Sequence, residues 1–226
     1  MVEKLNKALL IFAKKPLPGK VKTRMVPPLS PLQAAELYGC MLGDVLAKAA
    51  RYAAAEGRFL FYEEADQAGE YFTGRSGGMT SLPQCGADLG ERMAEAFRAV
   101  FARGYGAAVV IGTDAPDLPL HFIDMAFQRL EGGDCEAVFG PCEDGGYYLL
   151  GMKKLHSQLF RDVPWSSGAV LQVSLQRAWD AGIAVSLLPS WHDVDTAADL
   201  ERPELLAEEN GALLTREFLG KLVLGR

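Results

Sequence analysis

Just after a short apolar run, the chain places five cations, Lys14, Lys15, Lys20, Lys22 and Arg24, around Pro16, Pro18 and Gly19. Lysine offers a point charge and arginine a bidentate fork, so a stiff loop of this composition suits phosphate. Three further stretches concentrate carboxylates. Gly112-Thr-Asp-Ala-Pro-Asp117 presents Asp114, suited to Mg2+, which takes one or two protein carboxylates and completes its shell with phosphate oxygens and water. Gly140-Pro-Cys-Glu-Asp-Gly-Gly-Tyr-Tyr148 carries Asp144, a group that could receive a sugar hydroxyl or support the metal. It also carries the paired Gly145 and Gly146, which let backbone approach a ligand closely. Trp191-His-Asp-Val-Asp-Thr196 carries Asp193 and Asp195, which point the same way in an extended chain. Cations at one place and carboxylates at three others make the composition of a metal–diphosphate site.

Each stretch also has a plainer reading. The basic loop could be a solvated surface, and Asp114 a turn or helix cap before Pro116 and Pro119. Asp144-Gly145 could be a hairpin tip, and Asp195 with Thr196 could cap the helix that follows. His192 reads as a structural hydrogen-bonding group rather than a catalytic base.

These stretches follow apolar runs that read as strands. Ala8–Ala13, Arg58–Glu63, Ala107–Gly112, Glu136–Gly140, Tyr147–Gly151 and Ile183–Leu188 are the expected strands. Ala107–Gly112 does not alternate, so burial on both faces is expected. Ser30-Pro31 begins a helix carrying Ala34, Tyr38, Met41, Val45 and Ala49 on one face; Asp88 with Glu91 resembles a capping box before Leu89, Met93, Phe97 and Val100. Pro119–Leu130 and Ser166–Ala181 are further helices, and Thr73–Gly78 reads as a mobile glycine-rich loop. Strand–helix alternation implies an α/β fold, three-layered and Rossmann-like with a mostly parallel sheet; segment 136–151 breaks the rhythm as a hairpin or added antiparallel strand. In such sheets ligands bind outside the carboxyl ends of the strands, where the four stretches fall. One domain over 1–226 is expected, with a core of about 8–200 and a helical tail over 201–226.

The 226 residues carry 23 basic and 29 acidic side chains, so the acidic balance speaks against general nucleic-acid binding. Hydrophobic residues at 49% and charged residues at 23% fit a globular chain rather than a disordered one. No apolar run approaches the ~20 residues of a membrane span, and the N-terminal segment lacks a signal-peptide pattern. A cytoplasmic location follows, with Cys40, Cys85, Cys135 and Cys142 as reduced thiols. The apolar stretch Phe218–Leu224 could pack on the core or on a second subunit, which leaves a homo-oligomer open.

Five ordered motifs, FAKKPLPGKVKTR, IGTDAPDL, GPCEDGGYYLLG, PWSSGAVL and DVDTAADL, resemble a family of bacterial glycosyltransferases, some of them labelled for arsenosugar biosynthesis. The resemblance spans roughly residues 8–200 and implies the GT-A, nucleotide-diphospho-sugar transferase fold. It extends to the molybdenum-cofactor and phospholactate guanylyltransferases. It implies that Asp114 is a metal-binding aspartate, that Asp193 or Asp195 completes the metal shell, and that the loop with Lys14, Lys22 and Arg24 binds nucleotide and phosphate. Gln84-Cys-Gly-Ala-Asp-Leu-Gly-Glu-Arg92 resembles a segment beside the family's nucleotide pocket, which points to Gln84 and Asp88. The chain departs from the guanylyltransferases in lacking their G-x-G-x-R loop, and from common GT-A enzymes in spacing Asp114 and Asp117 as D-x-x-D.

The expectation is thus a Mg2+- or Mn2+-dependent glycosyltransferase using a nucleotide diphospho-sugar donor and a small-molecule acceptor. Asp144 and Asp193 are its candidate catalytic groups, and Gly145 and Gly146 back the donor. The first alternative is nucleotidyl transfer to a phosphorylated small molecule with release of pyrophosphate. A non-catalytic nucleotide-sugar-binding protein is the alternative from another class.

Overall fold

The computed structural model describes residues 5–224; the ends of the expected 1–226 domain, 1–4 and 225–226, lie outside the described residues. β1 (Lys7–Ala13) sends Leu9 and Ile11 to one face and Ala8 and Leu10 to the other, and all four are fully buried. Such a strand must be covered on both sides, and each pair joins a separate apolar cluster.

α1 (Pro31–Arg51) begins at the expected cap: Ser30 Oγ accepts from Gln33 N at 3.2 Å, while Ser30 N donates to Gln33 Oε1 at 2.9 Å. β2 (Gly57–Tyr62) pairs parallel with β1. α2 (Ala68–Thr73) and β3 (Thr80–Pro83), neither marked in the sequence, flank the glycine-rich loop expected at Thr73–Gly78. β3 is four residues long, ends in proline and shows no alternation, so the sequence does not mark its pairing with β2. α3 (Leu89–Phe101) starts where Asp88 Oδ1 accepts from Glu91 N at 2.8 Å. β4 (Ala107–Ile111) is buried at every residue and α4 (Leu120–Glu131) follows it.

β5 (Ala137–Pro141) and β6 (Tyr147–Met152) form the hairpin expected over 136–151. β6 inserts antiparallel between β4 and β5. α5 (Val170–Asp180) starts four residues later than expected, because Ser166 sits in the left-handed region at φ 64 and the segment through Gly168 packs on the hairpin tip. β7 (Val185–Leu187), the short α6 (Pro203–Leu206) and α7 (Leu213–Leu224) complete the chain. The sheet order is β3-β2-β1-β4-β6-β5-β7, with β6 the antiparallel member. Chain order reverses between β1 and β4, so the loops after those two strands meet in the crevice where ligands of doubly wound sheets sit.

The C-terminal stretch packs on its own chain. Phe218, Leu219 and Leu222 lie against a cluster containing Met25, Leu37 and Met41. The start of α7 is held by the buried Asp44, whose carboxylate accepts from Leu214 N and Thr215 N, each at 2.9 Å, and from Thr215 Oγ1 at 2.7 Å. Among the described residues no helix is long and apolar enough to cross a membrane.

Candidate active site

The loop after β1 owes its shape to two anchors. Val21 is buried against Ala35 and Tyr38 of α1, and Met25 is fully buried beneath a single 3-10 turn, Thr23–Met25. Between them Lys22 takes the left-handed conformation, at φ 47. Tyr38 ties this loop to the one after β4: its hydroxyl accepts from Lys14 N at 3.0 Å and lies 2.8 Å from Thr113 Oγ1. Burial first, then the nearby Asp114, pushes the Tyr38 hydroxyl up to about 12, so it stays a neutral hydrogen-bonding strut.

Asp114 stands just past β4. The segment after β7 reaches it because Val194 N donates to Asp114 O at 2.8 Å and the Val194 side chain is fully buried. Asp193 and Asp195 flank that buried valine and therefore emerge on one side, as the alternation requires. One residue earlier His192 Nε2 lies 2.9 Å from Asp117 Oδ2 in the interior, which is the structural role expected of the histidine. Capping of the next turn falls to Thr196 and Asp199, whose Oδ2 takes Thr196 N and Thr196 Oγ1. The Asp195 carboxylate is thereby left to the cleft.

Three carboxylates and one lysine converge. The Lys22 ammonium contacts Asp114 Oδ1 and lies 2.7 Å from Asp195 Oδ1. Burial alone would lower its pKa, but the two carboxylates outweigh it and hold the lysine charged. Asp193 moves the other way: burial first, then repulsion from Asp114 and Asp195, raises its carboxyl to about 7. Cys142, Asp144 and Asp193 offer ligand atoms within 4.8 Å of one another, although burial and the neighbouring Asp193 hold the Cys142 thiol far above its usual range. Asp114 and Asp195 present oxygen donors of the kind a hard divalent ion such as Mg2+ or Mn2+ takes, but among the described residues they do not form with Asp193 a set as close as that one.

These groups lie at one end of a cleft of about 620 Å³. Lys14, Lys20, Lys22, Arg24, Gln84, Asp114, Asp193 and Asp195 line it; Asp88, Asp144, Gly145 and Gly146 do not. Asp88 is occupied as the cap of α3. Asp144 is exposed beside Asp193, its Oδ1 accepting from Gly146 N at 2.8 Å. Gly145, at φ 88, packs on the backbone of Gly168, where a Cβ would stand 2.0 Å from the carbonyl oxygen. Gln84 donates from Nε2 to Phe61 O at 2.9 Å. Arg92, Tyr147 and Ser166 also line the cleft and were not singled out in the sequence. Arg92 lies one turn beyond Asp88 on α3, and the left-handed Ser166 follows Trp165, whose indole leaves no room for a side chain at Gly90.

The chain is a transferase with the nucleotide-diphospho-sugar transferase fold. Residues 45–167 match the family described as "Uncharacterized protein conserved in bacteria (DUF2064)", and the chain belongs to that family. A Desulfovibrio desulfuricans G20 protein assigned as a nucleotide-diphospho-sugar transferase is similar at a TM-score of 0.86 and 32% identity, over 98% of this chain and 96% of that one. Molybdopterin-guanine dinucleotide biosynthesis protein A from Archaeoglobus fulgidus shares the fold at a TM-score of 0.57 and 14% identity, over 95% of this chain and 99% of that one. So does 4-diphosphocytidyl-2C-methyl-D-erythritol synthase from Anaerococcus prevotii DSM 20548, at 0.57 and 11%, over 97% and 98%. No curated protein matches the sequence. The GT-A-like fold expected from the motifs is borne out.

Proposed function

We propose that the protein is a divalent-metal-dependent glycosyltransferase that takes a nucleotide diphospho-sugar donor and a small-molecule acceptor. The observation that carries this reading is the convergence of Asp114, Asp193 and Asp195 with Lys22 in the crevice between β1 and β4, rimmed by Lys14, Lys20 and Arg24. The rim cations offer charge and donors to the diphosphate and to the leaving nucleoside diphosphate. Gln84, a side-chain amide lining the cleft, would stand beside the nucleoside. Asp114, Asp193 and Asp195 would hold Mg2+ or Mn2+, which when bound neutralises phosphate charge.

A carboxyl poised near neutrality suits general-base work, so Asp193, where it is left outside the metal shell, is the stronger candidate to take a proton from an acceptor hydroxyl. Asp144, exposed at its side, would orient the acceptor. Gly145 and Gly146 support the donor side indirectly, by letting the hairpin tip seat against Gly168.

Nucleotidyl transfer with loss of pyrophosphate is a second reading, favoured by the fold shared with the Archaeoglobus and Anaerococcus proteins. A thermal-shift panel of nucleoside di- and triphosphates and nucleotide sugars, with Mg2+, Mn2+ or EDTA, tests the site. A ligand at a hundred times its Kd adds about 2.7 kcal/mol, or about 5–10 °C for a chain of this size. A metal-dependent shift abolished by Asp114→Asn is expected; no shift with any nucleotide refutes the reading. Product analysis with the best ligand then decides the chemistry: nucleoside diphosphate for glycosyl transfer, pyrophosphate for nucleotidyl transfer, and neither for a protein that only binds.

A further inference from the structure

The cations of the first loop are of two kinds. Lys14 and Arg24 keep 58% and 68% of their side chains exposed, as groups that meet a ligand from solvent should. The Lys22 side chain is 3% exposed, and its ammonium is already committed to one oxygen of Asp114 and one of Asp195. Those carboxylates belong to different segments, the loop after β4 and the loop after β7. Lys22 therefore fills the place between two acids that a divalent cation would occupy, and the same oxygens cannot serve both cations at full strength.

A buried ammonium deprived of its carboxylates does not remain buried and unpaired, because desolvation without a partner is strongly unfavourable. It must find another anion, and in this cleft the arriving anion is the diphosphate of the proposed donor. We infer that Lys22 is an internal counter-ion that competes with the divalent metal for Asp114 and Asp195, and that its transfer to the donor's diphosphate makes metal and donor bind cooperatively. The transfer rests on the diphosphate reading above; the competition does not. With metal alone, Lys22 loses its partners and nothing replaces them, so metal binding is weak. With metal and diphosphate together, each cation has an anion. Linkage makes the effect reciprocal: metal strengthens nucleotide binding by the factor by which nucleotide strengthens metal binding.

The test is Mn2+ binding to the full chain, followed by the electron paramagnetic resonance of free Mn2+, in wild type and Lys22→Met, with and without UDP or GDP. Lys22→Met should bind Mn2+ alone at least ~5-fold more tightly than wild type, the lower end of ordinary coupling between sites. The gain that nucleotide confers on wild type should shrink in the variant. Equal or weaker Mn2+ binding by Lys22→Met overturns the inference, whatever the nucleotides do. Tighter Mn2+ binding by the variant with no nucleotide effect on wild type upholds the competition, and overturns the transfer together with the diphosphate reading. Should Lys22→Met not fold, wild type labelled with ζ-15N-lysine decides alone. The Lys22 ammonium, protected by burial, should shift on adding Mg2+. A resonance unmoved at a Mg2+ concentration that displaces bound Mn2+ refutes the competition.

Discussion

Asp193 should make the protein less stable as the solution becomes less acidic, and asparagine should remove that dependence. Its carboxyl is buried and faces Asp114 and Asp195, and together these raise it from the usual 3.8 to about 7. In the folded protein it keeps its proton up to about pH 7, whereas in the unfolded chain it gives the proton up near pH 4. Between those values the unfolded state binds fewer protons, so stability falls with rising pH across the window and levels off above it. A gap of about three pH units at about 1.4 kcal/mol each bounds the loss at about 4 kcal/mol by pH 8. Solvent reorganisation at the cleft lowers the expectation to about 2 kcal/mol.

An asparagine side chain cannot ionise, so the quantity to measure is how the effect of Asp193→Asn changes between pH 5 and pH 8. Urea unfolding followed by tryptophan fluorescence, in EDTA so that trace metal does not neutralise the acids, supplies it. About two thirds of that window lies between pH 5 and pH 8, so the variant should gain about 1.3 kcal/mol relative to wild type over that interval, about 3–5 °C in Tm. Loss of the contact with the Cys142 thiol acts at both pH values and cancels in the comparison. A change below about 0.5 kcal/mol, the ordinary scatter of surface substitutions, or a change of opposite sign would show that Asp193 is ionised throughout.

Gly145→Ala should destabilise by more than about 2 kcal/mol, because alanine is disfavoured at φ 88 and its Cβ would meet the Gly168 carbonyl; a loss under about 0.5 kcal/mol in urea unfolding would show that the hairpin tip seats otherwise. Asp44→Ala removes the acceptor for three donors at the start of α7 and should cost about 2–3 kcal/mol, with exchange protection lost first at Leu214 and Thr215. If those amides remain protected, the helix is held by its apolar face alone. Tyr38→Phe should cost about 1–2 kcal/mol by orphaning Lys14 N and Thr113 Oγ1, and should weaken nucleotide binding, measured by calorimetry, without removing its metal dependence.

The parts of the site that could be read from sequence are those in which local chemistry and local structure coincide. β4 is uniformly apolar, so Asp114 had to stand at a strand's end. The alternation of Asp193, Val194 and Asp195 carried its own consequence once the valine was buried. Ser30-Pro31 and Asp88 announced their helices because caps are satisfied within a few residues. Features created by distant contacts were not legible. β3 exists through its pairing with β2, and the late start of α5 depends on a hairpin tip in another part of the chain. Lys22 is marked by the resemblance, with Lys14 and Arg24, as a phosphate ligand, and nothing in the sequence shows that folding buries it against acids from two other loops. Cys142 had no motif partner in the sequence, yet it lies beside Asp193 because Trp191 N donates to Pro141 O and Glu143 N donates to Trp191 O, joining the two segments.

That junction explains why the acids converge without relying on a bound ion. The segment carrying Asp193 and Asp195 is tied to β5 through Trp191 and to the Asp114 loop through Val194 N. The buried pair His192–Asp117 forms the third tie. Backbone and interior contacts thus set the carboxylate spacing, and burial, followed by repulsion among the acids, raises the pKa of Asp193. Lys22 relieves part of the same repulsion from inside. A site built in this way needs little rearrangement when charge arrives, which is the condition under which fixed charges stabilise a developing leaving group. On the metal-dependent reading proposed above, affinity for the ion would depend on the cation that must leave Asp114 and Asp195.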